Sequence, residues 1–176
     1  MTRESHAPTH PLDPFTAAEL TRAVELLRDS ERVSKAVRFS AAFPVEPPKR
    51  VVDDFEAGAD FKREVRLVGY DPERTGSFDA HISLDQGEVL TFQAIENGHA
   101  PLSMMDFIRV IQIVKEDPGW QNAMRKRGIE DFSLVQIDPW PAGGFPPEEV
   151  PKGTRMMRAI SFVRELPADN GYARPV

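Results

Sequence analysis

Pro101-Leu102-Ser103-Met104-Met105-Asp106-Phe107 restarts a pattern already written at Phe15-Thr16-Ala17-Ala18-Glu19-Leu20, and this repeat decides how the fold is read. In each stretch a hydroxyl residue (Thr16, Ser103) is placed to cap the orphan amides of a first helical turn. An acid three positions on (Glu19, Asp106) can reach back to the cap's own N–H. An apolar pair can staple across each start, Phe15 with Leu20 and Leu102 with Phe107. Each start is followed by a helical pattern and then by alternating, strand-like segments. The chain therefore reads as α+β, with two successive units of similar size, each a helix packed on an antiparallel sheet.

Working outward, the 176 residues suffice for one ordinary domain or two small ones, and units of under ~90 residues can each bury a workable core. The formal net charge of −6 and pI near 5.3 argue against a nucleic-acid or anionic-membrane surface, which calls for clustered Lys and Arg. Arg125-Lys126-Arg127 closes a predicted helix, where cations suit the dipole. The chain has no cysteine, so disulfides, thiolate nucleophiles and Cys-based zinc sites are excluded, which fits a cytoplasmic location best. Met1 to His10 has no apolar core of signal-peptide type, and no segment approaches the ~20 apolar residues of a membrane span. A soluble, unexported chain is expected.

In order, 1–9 reads as a loose polar tail. From Thr16 to Asp29, Leu20, Ala23, Val24 and Leu27 share one helical face. Val37, Phe39, Ala41 and Phe43 then alternate with polar or small residues until Pro44, predicting a strand with those four on one side. After a proline-rich connection with a short helix possible over Lys49 to Ala57, strands are expected at Phe61 to Tyr70, at Phe78 to Leu84 and at Glu88 to Glu96. Asp85-Gln86-Gly87 supplies the tight turn before the last of these. A helix laid across a four-stranded antiparallel meander is the natural assembly.

Beyond Asn97 to Pro101, Phe107, Val110, Ile111 and Val114 form a second helical stripe ending near Glu116. Asp117-Pro118 restarts a helix with proline at its first position, and Gly128 stands as its left-handed stop. Trp120 and Met124 face the core. Strands are expected at Phe132 to Ile137 and Thr154 to Leu166, separated by the proline- and glycine-rich loop Asp138 to Gly153. Trp140 either anchors that loop in a core, the favoured reading, or offers an aromatic face to a partner. Asp169 to Val176 reads as an extended run continuing elsewhere.

Chemistry is sparse. His6, His10, His81 and His99 show no i,i+2 or i,i+4 pairing, so the spacing points to no metal site. His81, on the polar side of a strand, could meet Asp79 or a cross-strand neighbour, and a solvent-facing role outweighs catalysis. Asp53-Asp54 and Glu148-Glu149 read as solvated loop charges. No Gly-x-Ser-x-Gly elbow and no glycine-rich phosphate loop is present, and Pro141 to Pro147 has too many prolines to cradle a phosphate with backbone N–H groups. On the residues alone no catalytic, cofactor-binding or metal-ligating set is assigned.

His10-Pro11-Leu12-Asp13-Pro14-Phe15-Thr16, Glu116-Asp117-Pro118 with Gln121 and Arg127-Gly128-Ile129, Val135-Gln136-Ile137-Asp138-Pro139-Trp140-Pro141-Ala142-Gly143, and Asp169-Asn170-Gly171-Tyr172-Ala173-Arg174-Pro175-Val176 together give the chain its family likeness. In that order they make it resemble the amino-terminal part of the copper-containing amine oxidases of actinobacterial type. Two departures stand out: Arg174 occupies a position where the family commonly has histidine, and Val45 to Ala59 matches nothing.

The resemblance implies two cystatin-like domains, over 10–97 and 98–170, with 171–176 starting a linker to a catalytic β-sandwich domain outside this chain. It also implies copper and topaquinone in the full-length enzyme, a homodimer, oxidative deamination of a primary amine, and apolar patches around Trp140 and Phe145 where these domains meet the missing one. The family's marks of catalysis are a tyrosine in an Asn-Tyr-Asp/Glu context, a catalytic aspartate and three histidine copper ligands. None can be carried onto these residues, so the chain itself is expected to be catalytically silent. Two alternatives are a stand-alone cystatin-like binding module and, more weakly, a small hydrolase or isomerase built on His81 and a carboxylate.

Overall fold

A computed structural model describes residues 7–143, 147–151 and 153–176. They fall into two compact units, Met1–Pro101 and Leu102–Val176, each combining helix with antiparallel sheet.

In the first unit, helix α1 (Ala17–Asp29) starts at Thr16 with a complete capping box to Glu19. Ala23, Leu26 and Leu27 are its buried residues. They pack on a four-stranded antiparallel sheet in the order β1 (Arg38–Pro44), β2 (Glu64–Asp71), β3 (Gly76–Ser83), β4 (Glu88–Ala94). Val65, Leu67, Phe78, Ala80 and Ile82 line its inner face. A short helix α2 (Lys49–Asp53) interrupts the β1–β2 connection.

The strand alternation expected for Val37 to Phe43 does not survive. Phe39 pairs with Gly69, but Ala41 pairs with Val68 and Phe43 with Arg66, because the register shifts between Phe39 and Ala41. Ser40 is thus the extra residue of a bulge, and one extra residue moves every later side chain to the opposite face. Ala41 and Phe43 consequently join Val68 and Arg66 on the outer face, and Phe43 is 48% exposed.

In the second unit, α3 (Met104–Glu116) starts at Ser103 with its own capping box to Asp106. Helix α4 (Pro118–Lys126) carries proline in its first turn and is capped by Asp117, and Gly128 follows at φ +77°. Met124 is buried, and Trp120 packs beside it with Nε1 donating to Ser161 Oγ at 3.0 Å. The core is Met124, Val135 and Ile137, joined by Ile111, Val114, Ile129, Phe132 and Val163.

The sheet is a two-stranded antiparallel ribbon of β5 (Val135–Pro141) and β6 (Met157–Val163). Phe132–Leu134, expected as strand, forms a 3₁₀ turn, while β5 runs on through Pro139 and Pro141, expected as loop. The hydrogen bonds explain the tolerance. Arg164 N donates to Leu134 O at 3.1 Å and Ala142 N to Met156 O at 3.2 Å, so the even-numbered residues of β5 carry the ladder. The nitrogens of Pro139 and Pro141 therefore point away from β6, where a missing N–H costs no ladder bond. Asp169 to Val176 is not one extended run. It turns at 169–173 and returns to β6, with Val163 N donating to Arg174 O at 2.9 Å and Val176 N to Ser161 O at 3.0 Å.

Gly69 carries a packing constraint. A Cβ there would stand 2.5 Å from Arg38 O and 2.6 Å from Phe78 Cζ, so the Phe78 ring occupies the place of a side chain. Gly69→Ala is expected to cost about 2 kcal/mol or more through overpacking against backbone, read as a lower urea midpoint; an unchanged midpoint would show that ring and carbonyl yield freely.

Candidate functional site

The strongest polar constellations lie where the two helices begin. In the first unit Arg63, only 7% exposed, precedes β2 at the same parity as Val65 and Leu67 and so points inward. Its Nε donates to Glu19 Oε1 at 2.7 Å and its Nη2 to Glu19 Oε2 at 3.2 Å. Nη1 donates to Asp13 O at 2.9 Å and Pro11 O at 3.3 Å, and Nη2 to Pro14 O at 3.3 Å. Glu19 Oε2 meanwhile accepts from Thr16 N at 2.8 Å. One carboxylate thus closes the helix cap and holds the arginine that ties the preceding segment to the sheet.

The second unit repeats the device. Arg155, at the parity of Met157 and Val163, donates from Nη2 to Asp106 Oδ2 at 2.9 Å and from Nη1 to Oδ1 at 3.2 Å, while Ser103 N donates to Asp106 Oδ2 at 2.7 Å. Burial pushes the Asp106 carboxyl up, but Arg155 and the Ser103 donors outweigh it and bring it from 3.8 to about 2. Glu19 moves the same way: burial raises it, and Arg63 and Thr16 hold it below its ordinary value. Capping geometry makes the acids legible in sequence. The arginines were missed, although a charge at an inward-facing strand position asks for a buried partner, and that parity was the available signal.

The other singled-out residues are dispersed. His81 Nε2 lies 2.8 Å from Glu64 Oε2 on the outer face of the first sheet, and Asp79 pairs instead with Arg66, whose Nε stands 2.8 Å from Oδ2. His10 Nδ1 accepts from Leu12 N at 3.1 Å, and its ring stands edge-on to Phe55 at 5.1 Å. His99 Nδ1 sits 2.9 Å from Ala100 O. His6 and Phe145 lie outside the described residues. Asp53, Asp54, Glu148 and Glu149 are exposed. Among the described residues no group of three or more His, Asp or Glu is placed to hold a metal ion, and no helix is long and apolar enough to cross a membrane. Trp140 does not anchor its loop: it is 56% exposed, with Nε1 donating to Asp138 Oδ2 at 2.6 Å. An open groove of about 1090 Å³ beside α2 is lined by Pro47, Val51, Phe55 and Phe61 with charged residues at its rim.

Arg63→Ala strands the Glu19 carboxylate and three carbonyls, and is expected to lower stability by about 3–5 kcal/mol in chemical unfolding; a loss under 1 kcal/mol would deny the contact its role. The Asp106 pair has a pH signature. A depressed native pKa stabilises above the unfolded value, and the gain fades as pH falls from 3.8 toward about 2, an interval worth about 2 kcal/mol. Asp106→Asn should flatten the stability profile between those pH values, and a profile as steep as the parent's would refute the assignment.

Two domain families match in tandem: the AGAO-like N2 domain over residues 16–91 and the copper amine oxidase N3 domain over residues 105–176. A primary amine oxidase of Arthrobacter sp. (strain P1) is 34% identical over 169 residues, 96% of this chain and 25% of its own length. Histamine oxidase of Arthrobacter globiformis is 30% identical over 173 residues, 97% of this chain and 25% of its own. The peroxisomal N-methylputrescine oxidase 1 of Nicotiana tabacum is 28% identical over 205 residues, covering 95% and 26%. The chain thus spans about a quarter of the length of these relatives. With both domains matched in order across two separately capped units, the chain belongs to the copper amine oxidases, of which it carries the N-terminal N2 and N3 domains.

Proposed function

We propose that this chain is the non-catalytic front of a copper- and topaquinone-dependent primary-amine oxidase. The whole protein would convert an amine, dioxygen and water to an aldehyde, ammonia and hydrogen peroxide. The observation that carries this reading is the tandem N2 and N3 match on a chain spanning a quarter of its relatives. We take 10–97 and 98–170 as two cystatin-like domains and 171–176 as the approach to a catalytic β-sandwich, with the complete enzyme a cytoplasmic homodimer.

The residues present do not fit either cofactor. The tyrosines stand in Gly69-Tyr70-Asp71 and Gly171-Tyr172-Ala173, neither a topaquinone context. Asp71 is fully buried and committed to Ser34, whose N and Oγ lie 2.5 and 2.7 Å from its carboxylate. On this reading copper and quinone belong to polypeptide outside these domains, which contribute structure and the shape of the approach to the substrate channel. The groove beside α2 favours a second reading, a stand-alone module that binds a small ligand or peptide.

Immunoblotting of source cells with antibody against this chain, followed by redox-cycling quinone staining of the same band, separates the two. A quinone-positive band several times larger than 19.8 kDa is the expected result. An unstained band at 19.8 kDa would overturn the oxidase reading in favour of the module.

A further inference from the structure

Resting on the reading that more polypeptide follows these domains in the whole protein, we propose that the outer face of the β5–β6 ribbon, at Trp140 and Ile160, is the seat of that following part. The register puts Gln136, Asp138 and Trp140 on one face, opposite Phe162, Ile160 and Arg158 respectively. Val135 and Ile137, on the other face, belong to the core under α3 and α4.

Among the described residues, the outer face is closed at one end only. There the returning segment lays Tyr172 edge-on to Phe162 at 5.2 Å and buries Gly171 over Gln136, which accepts from Arg164 Nη2 at 2.5 Å. A Cβ on Gly171 would stand 1.9 Å from Gln136 Oε1, so this closure is tight. At the other end Trp140 is 56% and Ile160 42% exposed. They are diagonal cross-strand neighbours, close enough to act as one patch. The indole N–H of Trp140 is already taken by Asp138, so what the ring presents outward is apolar surface with its polar demand met, the character of an interface anchor.

The occupant follows from where the chain leads. Val176 N donates to Ser161 O, between Ile160 and Phe162. Polypeptide continuing from there, as the fourfold length of the relatives implies, departs along the edge of this ribbon. A segment tethered a few residues away acts at millimolar effective concentration, which a separate chain must outcompete.

Hydroxyl-radical footprinting of the complete native polypeptide, read by mass spectrometry at Trp140 and Trp120, tests this. Trp120, half-buried against the core, is the internal standard. We expect Trp140 to be labelled no faster than Trp120. Ile160→Lys should raise Trp140 labelling several-fold, whereas Met105→Lys on α3 should leave it unchanged. Should Ile160→Lys fail to fold, the parent ratio decides alone. Labelling of Trp140 several-fold above Trp120 overturns the proposal, as does protection lost on dilution, which would assign the face to a second copy. A long, quinone-bearing product with an open Trp140 sinks this inference alone, whereas a native product of 19.8 kDa sinks the oxidase reading with it.

Discussion

One carboxylate in each unit serves two masters, and the rest of the unit is arranged about it. Glu19 and Asp106 complete the caps of α1 and α3 and at the same time bind Arg63 and Arg155, which stand just ahead of inward-facing strand positions. The helix start is thereby fixed to a particular residue of a particular strand, far away in sequence. Burying an arginine is costly, and a buried ion pair is weak evidence for net stability compared with an apolar replacement. Its strength is in what it forbids. With Glu19 and three carbonyls gathered around one guanidinium, a slip of the strand or a rotation of the helix would leave several buried polar groups unpaired at once.

Around that constraint, irregularities decide which surfaces stay open. The bulge at Ser40 turns Phe43 outward, although its parity in sequence matches Phe39. In the second unit the prolines of β5 sit on the side away from β6, so the strand keeps its ladder while its far edge offers no donor at those positions. The same ribbon has one face committed to the core and the other only half covered, leaving Trp140 and Ile160 in solvent. Helix α3 shows a related imbalance. It is apolar on more than one face, with Met104, Met105, Ile108 and Ile113 exposed and none of its residues fully buried.

The charged residues with the closest contacts are spent on architecture. Arginine and carboxylate partners close caps, a histidine pairs with glutamate across the sheet, and the buried Asp71 organises a turn. This distribution suits the supporting role proposed for these two domains.

What the sequence determined by itself is what local physics controls. Thr16-x-x-Glu19 and Ser103-x-x-Asp106 announced the starts of α1 and α3 to the residue, Pro118 and Gly128 bracketed α4, and Asp85-Gln86-Gly87 announced its turn, because caps and tight turns are satisfied within four or five residues. The alternation of β3 and of β6 was legible for the same reason: side chains on a regular strand must alternate. Family likeness, too, lies in the order of residues. What only the tertiary structure decided involves partners distant in sequence. The face shown by Phe43 depends on pairing with β2, the extension of β5 through its prolines depends on which edge β6 occupies, and the exposure of Trp140 depends on how far 169–176 returns over the ribbon. Arg63 and Arg155 found their acids across 44 and 49 residues, separations at which short-range spacing carries no information and burial alone selects the partner.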